Sequence, residues 1–387
     1  MAAIYSPREM IDRLVSFDTT SRDSNLGLID FVDDYLKGHG LKPLRVPNSK
    51  GNKANLYVTI GPDAPGGIVL SGHTDVVPVD GQPWTSAPFK TVERDGNLYG
   101  RGTCDMKSFC AIALAFVPQF IAAKGKTPIH IALSYDEEIG CLGVRPLIAR
   151  VLQELPKPRL VVIGEPSDMQ VVNAHKGIRA FRTTITGREA HSSHTDKGVN
   201  AVMVAAELIT YLDALAEEMR QRGDASARFD PPYTTVQSSV IHGGTALNIL
   251  ARECMFQWEY RFLPGGDENE IAERFTRHAG ENVLPRLRRV AAEADIATVA
   301  GARVPALKPE HDSPAEALAR QLTGRNSSQA VSYGTEAGLF QEAGIPAVVC
   351  GPGSILQAHK PDEFIALEQI DLCIAFMRRL VDHVAAS

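Results

Sequence analysis

The sequence lacks the features of a membrane-embedded, disulfide-stabilised or nucleic-acid-binding protein. No apolar run approaches the roughly 18 residues that a membrane span needs, and the first residues do not form a basic-then-apolar export signal. The six cysteines are scattered, without a Cys-x-x-Cys pair, which indicates reduced thiols. No block of consecutive basic residues is present, and the net charge is −6. We therefore expect a cytoplasmic protein that binds neither nucleic acid nor membrane.

The composition is that of a folded globular protein. Hydrophobic residues make up 44% and charged residues 22% of the chain, which excludes a mainly disordered or collagen-like protein. The chain has 387 residues. Because single domains usually contain roughly 100–200 residues, we expect two domains.

Strand-like and helix-like segments alternate over the first 177 residues. Buried strands are predicted at 54–60, 68–71, 129–135 and 160–163, and helices are predicted at 105–123 and 144–155. Strands that alternate with helices favour a mostly parallel sheet with covered faces. The sequence therefore predicts an α/β domain, to which residues 301–387 return with a further buried strand near 345–350.

The pattern changes between residues 178 and 300. Strands are predicted at 181–186, 234–241, 253–262 and 294–299, and long amphipathic helices at 200–219 and 267–282. The resulting β-α-β-β-α-β order can form a single sheet with its helices on one face. We therefore expect a small second domain, residues 178–300, inserted into a discontinuous first domain, residues 1–177 and 301–387.

Acidic and imidazole side chains follow three of the apolar strands. In chain order they are His73, Asp75, Asp136, Glu137, Glu138 and Glu165, and Asp105 follows a glycine-bracketed loop. Taken singly, such a residue is more often an ordinary polar or capping side chain. Open α/β sheets, however, place their ligand crevice at the carboxyl ends of the strands. Carboxylates gathered there would repel one another unless cations neutralise them, which predicts a metal pair with the imidazole and carboxylate ligands that zinc accepts.

Five motifs resemble, in order and spacing, a family of dinuclear metallohydrolases. That family includes acetylornithine deacetylase, succinyl-diaminopimelate desuccinylase, aminoacylase and glutamate carboxypeptidase. The motifs are His73-Thr74-Asp75, Gly100–Lys107, Asp136-Glu137-Glu138, Gly164-Glu165-Pro166 and His359–Glu363. The resemblance covers nearly the whole chain. It implies a mostly parallel, zinc-exopeptidase-like catalytic domain with an inserted ferredoxin-like α+β domain that serves for dimerisation and as a lid.

The resemblance also implies a role for each motif residue. Two divalent ions, zinc with cobalt or manganese as alternatives, would be held by His73 and Glu165, by Glu138 and His359, and by a bridging Asp105. The carboxylate of Asp75 would orient His73. Glu137 would be the general base for a water that bridges the metals. His191 would stabilise the oxyanion from the partner subunit of a homodimer, although a simple polar loop histidine is the alternative.

The resemblance also implies substrate contacts at Asn248, Arg261, Thr335 and Glu336. Arg261 would bind a substrate carboxylate, and Glu336 would meet the ammonium of a cationic side chain. An ion pair at a strand edge is the alternative for Arg261, and a cap on a helix that begins near Ala337 is the alternative for Glu336.

Within the family, the motifs are most similar to those of acetylornithine deacetylase. This implies hydrolysis of N2-acetyl-L-ornithine, a small N-acyl amino acid, to L-ornithine and acetate in arginine biosynthesis. Desuccinylation of succinyl-diaminopimelate or another deacylase or carboxypeptidase activity is the alternative within the family. A metal-binding homologue without turnover is the alternative outside it.

Overall fold

The computed structural model describes residues 3–386, which fold into two compact units. The first unit contains the chain up to Ala174, then Leu307–Ala330 and the chain from Thr335 onward. The second unit contains His175–Ala306 and Val331–Gly334. The limits predicted from the sequence, 178 and 300, fall inside the second unit.

Eleven α-helices are present in residues 3–386. They are α1 (Pro7–Val15), α2 (Leu26–Gly38), α3 (Lys107–Ala115), α4 (Val117–Ala123), α5 (Val144–Glu154), α6 (Ala201–Arg222), α7 (Glu270–His278), α8 (Leu284–Arg288), α9 (Pro314–Thr323), α10 (Ala337–Glu342) and α11 (Leu367–Ala385). A π-helical turn, Ala279–Val283, joins α7 to α8, so the single helix predicted at 267–282 is interrupted. None of the helices in this part of the chain has the length and apolar composition to cross a lipid bilayer.

Fifteen strands are present over the same residues. They are β1 (Leu44–Pro47), β2 (Ala54–Ile60), β3 (Ile68–His73), β4 (Val92–Arg94), β5 (Asn97–Tyr99), β6 (Ile129–Ser134), β7 (Leu160–Pro166), β8 (Val172–His175), β9 (Gly177–Thr186), β10 (Thr235–Gly243), β11 (Glu253–Phe262), β12 (Asp295–Val304), β13 (Gln329–Val331), β14 (Ala347–Gly351) and β15 (Phe364–Ala366).

A sheet in the order β1-β2-β6-β3-β7-β14-β8-β13 forms the centre of the first unit. The four central strands β6, β3, β7 and β14 are parallel, whereas β2 and β8 flank them in antiparallel pairing. Every residue of β3, β6 and β7 is buried, as expected for apolar parallel strands covered on both faces. The mostly parallel sheet that the sequence predicts is therefore present at its centre, with antiparallel strands at its margins.

Helix α3 packs closely against this sheet because glycine occupies the contact point. A Cβ atom on Gly164 of β7 would lie 2.0 Å from the ring of Phe109 on α3. Real Cβ atoms do not approach a ring this closely, so any larger residue would push α3 away from the sheet. Gly164 directly precedes Glu165, so this contact also fixes the backbone that presents the Glu165 carboxylate.

The second unit has the predicted β-α-β-β-α-β order, β9-α6-β10-β11-α7-β12. Its four strands pair antiparallel in the order β10-β11-β9-β12. Alternate residues of β11, among them Phe256, Trp258 and Tyr260, are buried in one core with the apolar sides of α6 and α7. The residues between them are partly or fully exposed. The helices therefore cover one face of this sheet.

Candidate metal centre

The carboxyl ends of the parallel strands bring the predicted ligands together. His73 is the last residue of β3, Glu165 lies at the end of β7, and Glu138 follows β6 in a turn. Asp105 lies two residues before α3, and His359 lies in the loop after β14. Because β6, β3 and β7 run in the same direction, these side chains meet at one edge of the sheet.

The two carboxylate oxygens of Asp105 face two different histidines. Oδ1 lies 3.1 Å from Nε2 of His73, and Oδ2 lies 3.3 Å from Nε2 of His359. Nε2 of His73 also lies 3.6 Å from Oε1 of Glu165, and Nε2 of His359 lies 3.0 Å from Oε2 of Glu138. Asp105 therefore lies between two imidazole–carboxylate pairs, His73 with Glu165 and His359 with Glu138. The family resemblance implies the same two pairs of ligands.

The chemistry of this donor set fits divalent metal ions. Burial raises the pKa of Glu165 well above its usual range, and burial together with repulsion from Asp105 raises the pKa of Glu138 to about 7. Within residues 3–386, Oε1 of Glu138 is buried without a hydrogen-bond partner. Buried, mutually repelling carboxylates are costly unless a cation compensates them. Imidazole nitrogen and carboxylate oxygen suit zinc and neighbouring first-row metals.

His73 is oriented for such an ion by the main chain. Its Nδ1 lies 2.9 Å from the backbone carbonyl oxygen of Asp75 and 3.6 Å from the Asp75 carboxylate. An Nδ1–H that donates to the carbonyl leaves Nε2 unprotonated and directed at Asp105 and Glu165. Burial alone would lower the pKa of His73, but the neighbouring Glu165 and Asp105 carboxylates raise it well above its usual value when no metal is bound.

The carboxylate of Asp75 instead holds the turn after β6. It accepts hydrogen bonds from the backbone N–H groups of Glu137 (3.1 Å) and Glu138 (3.3 Å) and from the Ser21 hydroxyl (2.7 Å). We predicted that this carboxylate orients His73, but the Asp75 main-chain oxygen lies closer to Nδ1 of His73 than the carboxylate does. The side chain fixes the backbone of the two glutamates.

Glu137 lies beside the cluster without touching His359 or Asp105. Its Oε1 accepts a hydrogen bond from the Cys141 thiol at 3.1 Å, a contact that the sequence did not reveal. One carboxylate oxygen of Glu137 can join His73 and Glu165 in a group whose ligand atoms all lie within 4.8 Å of one another. Burial, aided by repulsion from Glu138, raises the pKa of Glu137 to about 8. A carboxylate whose pKa is near neutrality is suited to accept and return a proton.

Thr335 and Glu336 are buried in the first unit. Glu336 occupies the N-cap position of α10, but its side chain makes no capping hydrogen bond, and the Thr335 hydroxyl accepts a hydrogen bond from the backbone N–H of Ala337. Glu336 is 1% exposed, and its Oε1 accepts a 2.5 Å hydrogen bond from the Ser134 hydroxyl. The contact of Glu336 with a substrate ammonium stays a prediction.

The other predicted site residues belong to the second unit. His191 is exposed, and its Nδ1 lies 2.7 Å from the Ser193 hydroxyl oxygen. Asn248 is exposed, and its backbone carbonyl oxygen accepts a hydrogen bond from the backbone N–H of Ser192 on the His191 loop. Arg261 donates a 3.3 Å hydrogen bond to Glu259 of the same strand, β11, which is an inner strand of its sheet and not the edge strand that its alternative role assumed. The substrate and oxyanion roles of these residues stay predictions.

Three further residues surround the ligand loops, and the sequence did not single them out as functional. They are Gln82, Arg101 and Glu363. Glu363 ends the His359–Glu363 motif and Arg101 lies within the Gly100–Lys107 motif, so the spacing held a signal for both. Gln82 lies in an irregular segment with no such signal.

The chain matches a known family over most of its length. Residues 69–383 match Peptidase family M20/M25/M40. The chain is 33% identical over 387 residues to an acetylornithine deacetylase of Pasteurella multocida (strain Pm70), covering 98% of this chain and 96% of that protein. It is 34% identical over 381 residues to an acetylornithine deacetylase of Myxococcus xanthus, covering 97% of each.

A solved structure shares the fold. The M20 family metallo-carboxypeptidase Sso-CP2 from Sulfolobus solfataricus superposes with a TM-score of 0.78 and 17% identity, covering 99% of this chain and 100% of that chain. The fold class predicted from the sequence is thereby confirmed, and so is the resemblance on which the site prediction depends. The chain belongs to Peptidase family M20/M25/M40 and is a metal-dependent hydrolase.

Proposed function

We propose that this enzyme hydrolyses N2-acetyl-L-ornithine to L-ornithine and acetate with the help of two divalent metal ions. The observation that carries the proposal is the placement of Asp105 between two imidazole–carboxylate pairs, with Glu137 beside them. The similarity over nearly the full length to two acetylornithine deacetylases supports the choice of substrate.

The residues of this chain divide the chemistry among them. Bound at this centre, two divalent ions would lower the pKa of water and polarise the amide carbonyl. His73 and Glu165 would hold one ion, Glu138 and His359 the other, and Asp105 would bridge them. Glu137 accepts a proton from the attacking water and delivers it to the leaving amine. The amide C–N bond breaks, acetate and amine are released, and no covalent bond to the protein is needed.

The contacts of the two adjacent glutamates support this division of roles. Glu138 approaches His359 at 3.0 Å, and repulsion from Asp105 contributes to its raised pKa, which supports its role as a ligand. Among the described residues, the Glu137 carboxylate accepts a hydrogen bond from the weak thiol donor of Cys141 on one oxygen, which supports the other oxygen being available for proton transfer.

The proposal also covers the oligomeric state, the substrate contacts, the pathway and the location of the enzyme. We assign the native state to a homodimer, in which His191 of one subunit stabilises the oxyanion in the other subunit's site. Arg261 and Asn248 bind the substrate carboxylate. The similarity to acetylornithine deacetylases also supports a place in arginine biosynthesis, and the cysteine pattern supports a cytoplasmic location.

Turnover on a panel of N-acyl amino acids tests the proposal. Protein loaded with Zn²⁺, Co²⁺ or Mn²⁺ is assayed on N2-acetyl-L-ornithine, N-acetyl amino acids with neutral side chains, N-formyl analogues and N-succinyl-L,L-diaminopimelate. We expect the highest kcat/KM for N2-acetyl-L-ornithine. A preference for the succinylated substrate would reassign the enzyme as a desuccinylase. Absence of turnover with both metals bound would indicate a non-catalytic homologue.

A further inference from the structure

His359 differs from the other proposed ligands in how it is held. Its side chain is 52% exposed, whereas the side chains of His73, Asp105, Glu138 and Glu165 are between 1% and 7% exposed. Its backbone has φ of +63°, a region that residues other than glycine rarely occupy. An exposed ligand in an irregular loop has little packing to fix it, so other contacts must hold its backbone in place.

The loop that carries Asp105 wraps around one buried carboxylate. Oε1 of Glu363 accepts hydrogen bonds from the backbone N–H groups of Gly102 (3.0 Å), Cys104 (2.8 Å) and Asp105 (3.0 Å). Oε2 of Glu363 accepts a 2.7 Å hydrogen bond from the Arg101 guanidinium, and both side chains are 1% exposed. Because Glu363 follows His359 by four residues, this carboxylate joins the Asp105 loop to the His359 loop.

Gln82 extends this network to the backbone of His359. Its Oε1 accepts hydrogen bonds from Arg101 (2.6 Å) and from the indole N–H of Trp84 (3.1 Å). Two donors on the amide oxygen fix the orientation of the amide, so its Nε2 faces the other way. There Nε2 donates a 3.1 Å hydrogen bond to the main-chain carbonyl oxygen of His359.

We propose that Gln82, Arg101 and Glu363 are positioning residues that hold His359 against Glu138 and Asp105 and thereby set the affinity of the metal site on the His359 side. The inference rests on the dinuclear centre of the proposed function. Arg101 is the shared partner, because one guanidinium binds both Glu363 and Gln82. Glu363 also binds the Asp105 backbone, whereas Gln82 bonds to the His359 backbone, so loss of Gln82 should weaken the site on the His359 side and leave the His73–Glu165 side intact.

Gln82→Met is the variant that tests this network. Gln82 is only partly buried, so its substitution should not unfold the protein. Methionine keeps the length and the neutral charge but removes both the acceptor for Arg101 and the donor to His359. Gln341→Met is a matched control. Gln341 lies on α10, and its amide oxygen and nitrogen are likewise hydrogen-bonded, to the backbone of Lys308.

Metal-free protein is titrated with Co²⁺ and followed by visible absorption and calorimetry. The signal that disappears in His359→Ala identifies the site on the His359 side. We expect Gln82→Met to weaken that site by about ten- to hundredfold and to leave the other site and the melting temperature unchanged. Gln341→Met should bind Co²⁺ like wild type.

The outcomes separate this inference from the proposed function. If wild-type protein binds fewer than two Co²⁺ ions, the dinuclear centre itself is wrong. If wild type binds two and Gln82→Met binds both with unchanged affinity, the positioning role is wrong. Equal weakening of both sites would also overturn it, because a general structural effect does not distinguish the two sides.

Discussion

The backbone N–H of Glu137 donates a hydrogen bond of 3.1 Å to the carboxylate of Asp75. The same carboxylate accepts from the N–H of Glu138, whereas the ring of His73 faces the Asp75 main-chain oxygen. Asp75 thus contacts the His73 ring through its backbone oxygen and the backbone N–H groups of Glu137 and Glu138 through its side chain. This separation allows the two functions to be tested by substitution of the side chain alone.

Asp75→Asn should lower kcat and leave both metal ions bound. Asparagine offers one acceptor oxygen, and its NH₂ group would face an N–H donor of Glu137 or Glu138, which disturbs the turn that carries the general base. We expect kcat to fall about ten- to hundredfold, the usual effect of replacing a residue that is hydrogen-bonded to a metal-site residue. Metal content by elemental analysis checks the second part. Loss of metal with little change in kcat per bound metal would show that the carboxylate orients His73 after all.

Glu137→Gln should keep both metals and lose most of the activity. Glutamine can still accept the Cys141 hydrogen bond but cannot take a proton from water, so kcat should fall about 10²–10⁴-fold. Glu138→Gln is the matched comparison, because it should weaken metal binding on the His359 side. Metal loss from Glu137→Gln but not from Glu138→Gln would mean that the roles of the two glutamates are exchanged.

Removing metal should make the stability of the protein depend on pH. Burial raises the pKa of Glu137 to about 8 and of Glu138 to about 7, above their usual value. The folded metal-free state therefore binds more protons than the unfolded state between about pH 4.5 and 8, and the free energy of unfolding falls as the pH rises. Hydrogen bonds to Asp105 and Glu138 raise the pKa of His359 to about 10. The free energy of unfolding should therefore keep falling with rising pH above the usual pKa of histidine.

Thermal melts with a chelator check this expectation. The melting temperature of the metal-free protein should fall between about pH 5.5 and 8.5, and added Zn²⁺ should raise it most at the high end. Chelation should also abolish activity at every pH. A metal-free protein whose melting temperature rises with pH, or that keeps full turnover, would contradict the assignment of these side chains to a metal centre.

Mixing two inactive variants should restore activity if His191 acts across a dimer. His191→Ala protein lacks the oxyanion donor and Glu137→Gln protein lacks the general base. A hybrid dimer contains one site in which both groups are intact, so partial turnover should appear after subunit exchange. Mass spectrometry of the intact dimers confirms that hybrids form. Hybrids without activity would place His191 in the site of its own subunit or outside catalysis.

Glu336→Gln tests the recognition of the substrate ammonium. If the Glu336 carboxylate meets this group, the variant should raise KM for N2-acetyl-L-ornithine more than for a neutral N-acetyl amino acid, with about 1–3 kcal/mol at stake. Burial raises the pKa of Glu336 to about 7, so the preference of wild type for the cationic substrate should strengthen as the pH rises through that value. Equal effects on both substrates would leave Glu336 a structural role with Ser134.

The strand pattern predicted much of the metal cluster because each ligand is local to an element. His73 ends β3 and Glu165 is the penultimate residue of β7, both apolar runs typical of buried strands, and parallel strands bring their ends to one edge. The same local logic located β11, whose alternating burial matches the predicted limits 253–262. The interruption of the helix predicted at 267–282 by a π-turn left no sign in the hydrophobic pattern.

The sequence by itself determined which candidate ligand residues there are and in what order they follow the strands, since hydrophobic periodicity and motif spacing are properties of short segments. Only the tertiary structure decided that the two oxygens of Asp105 face different histidines and that Gln82 holds the carbonyl of His359. Gln82 and His359 are 277 residues apart in irregular segments. Such a contact follows from how the loops pack on the finished sheet, and no local pattern encodes it.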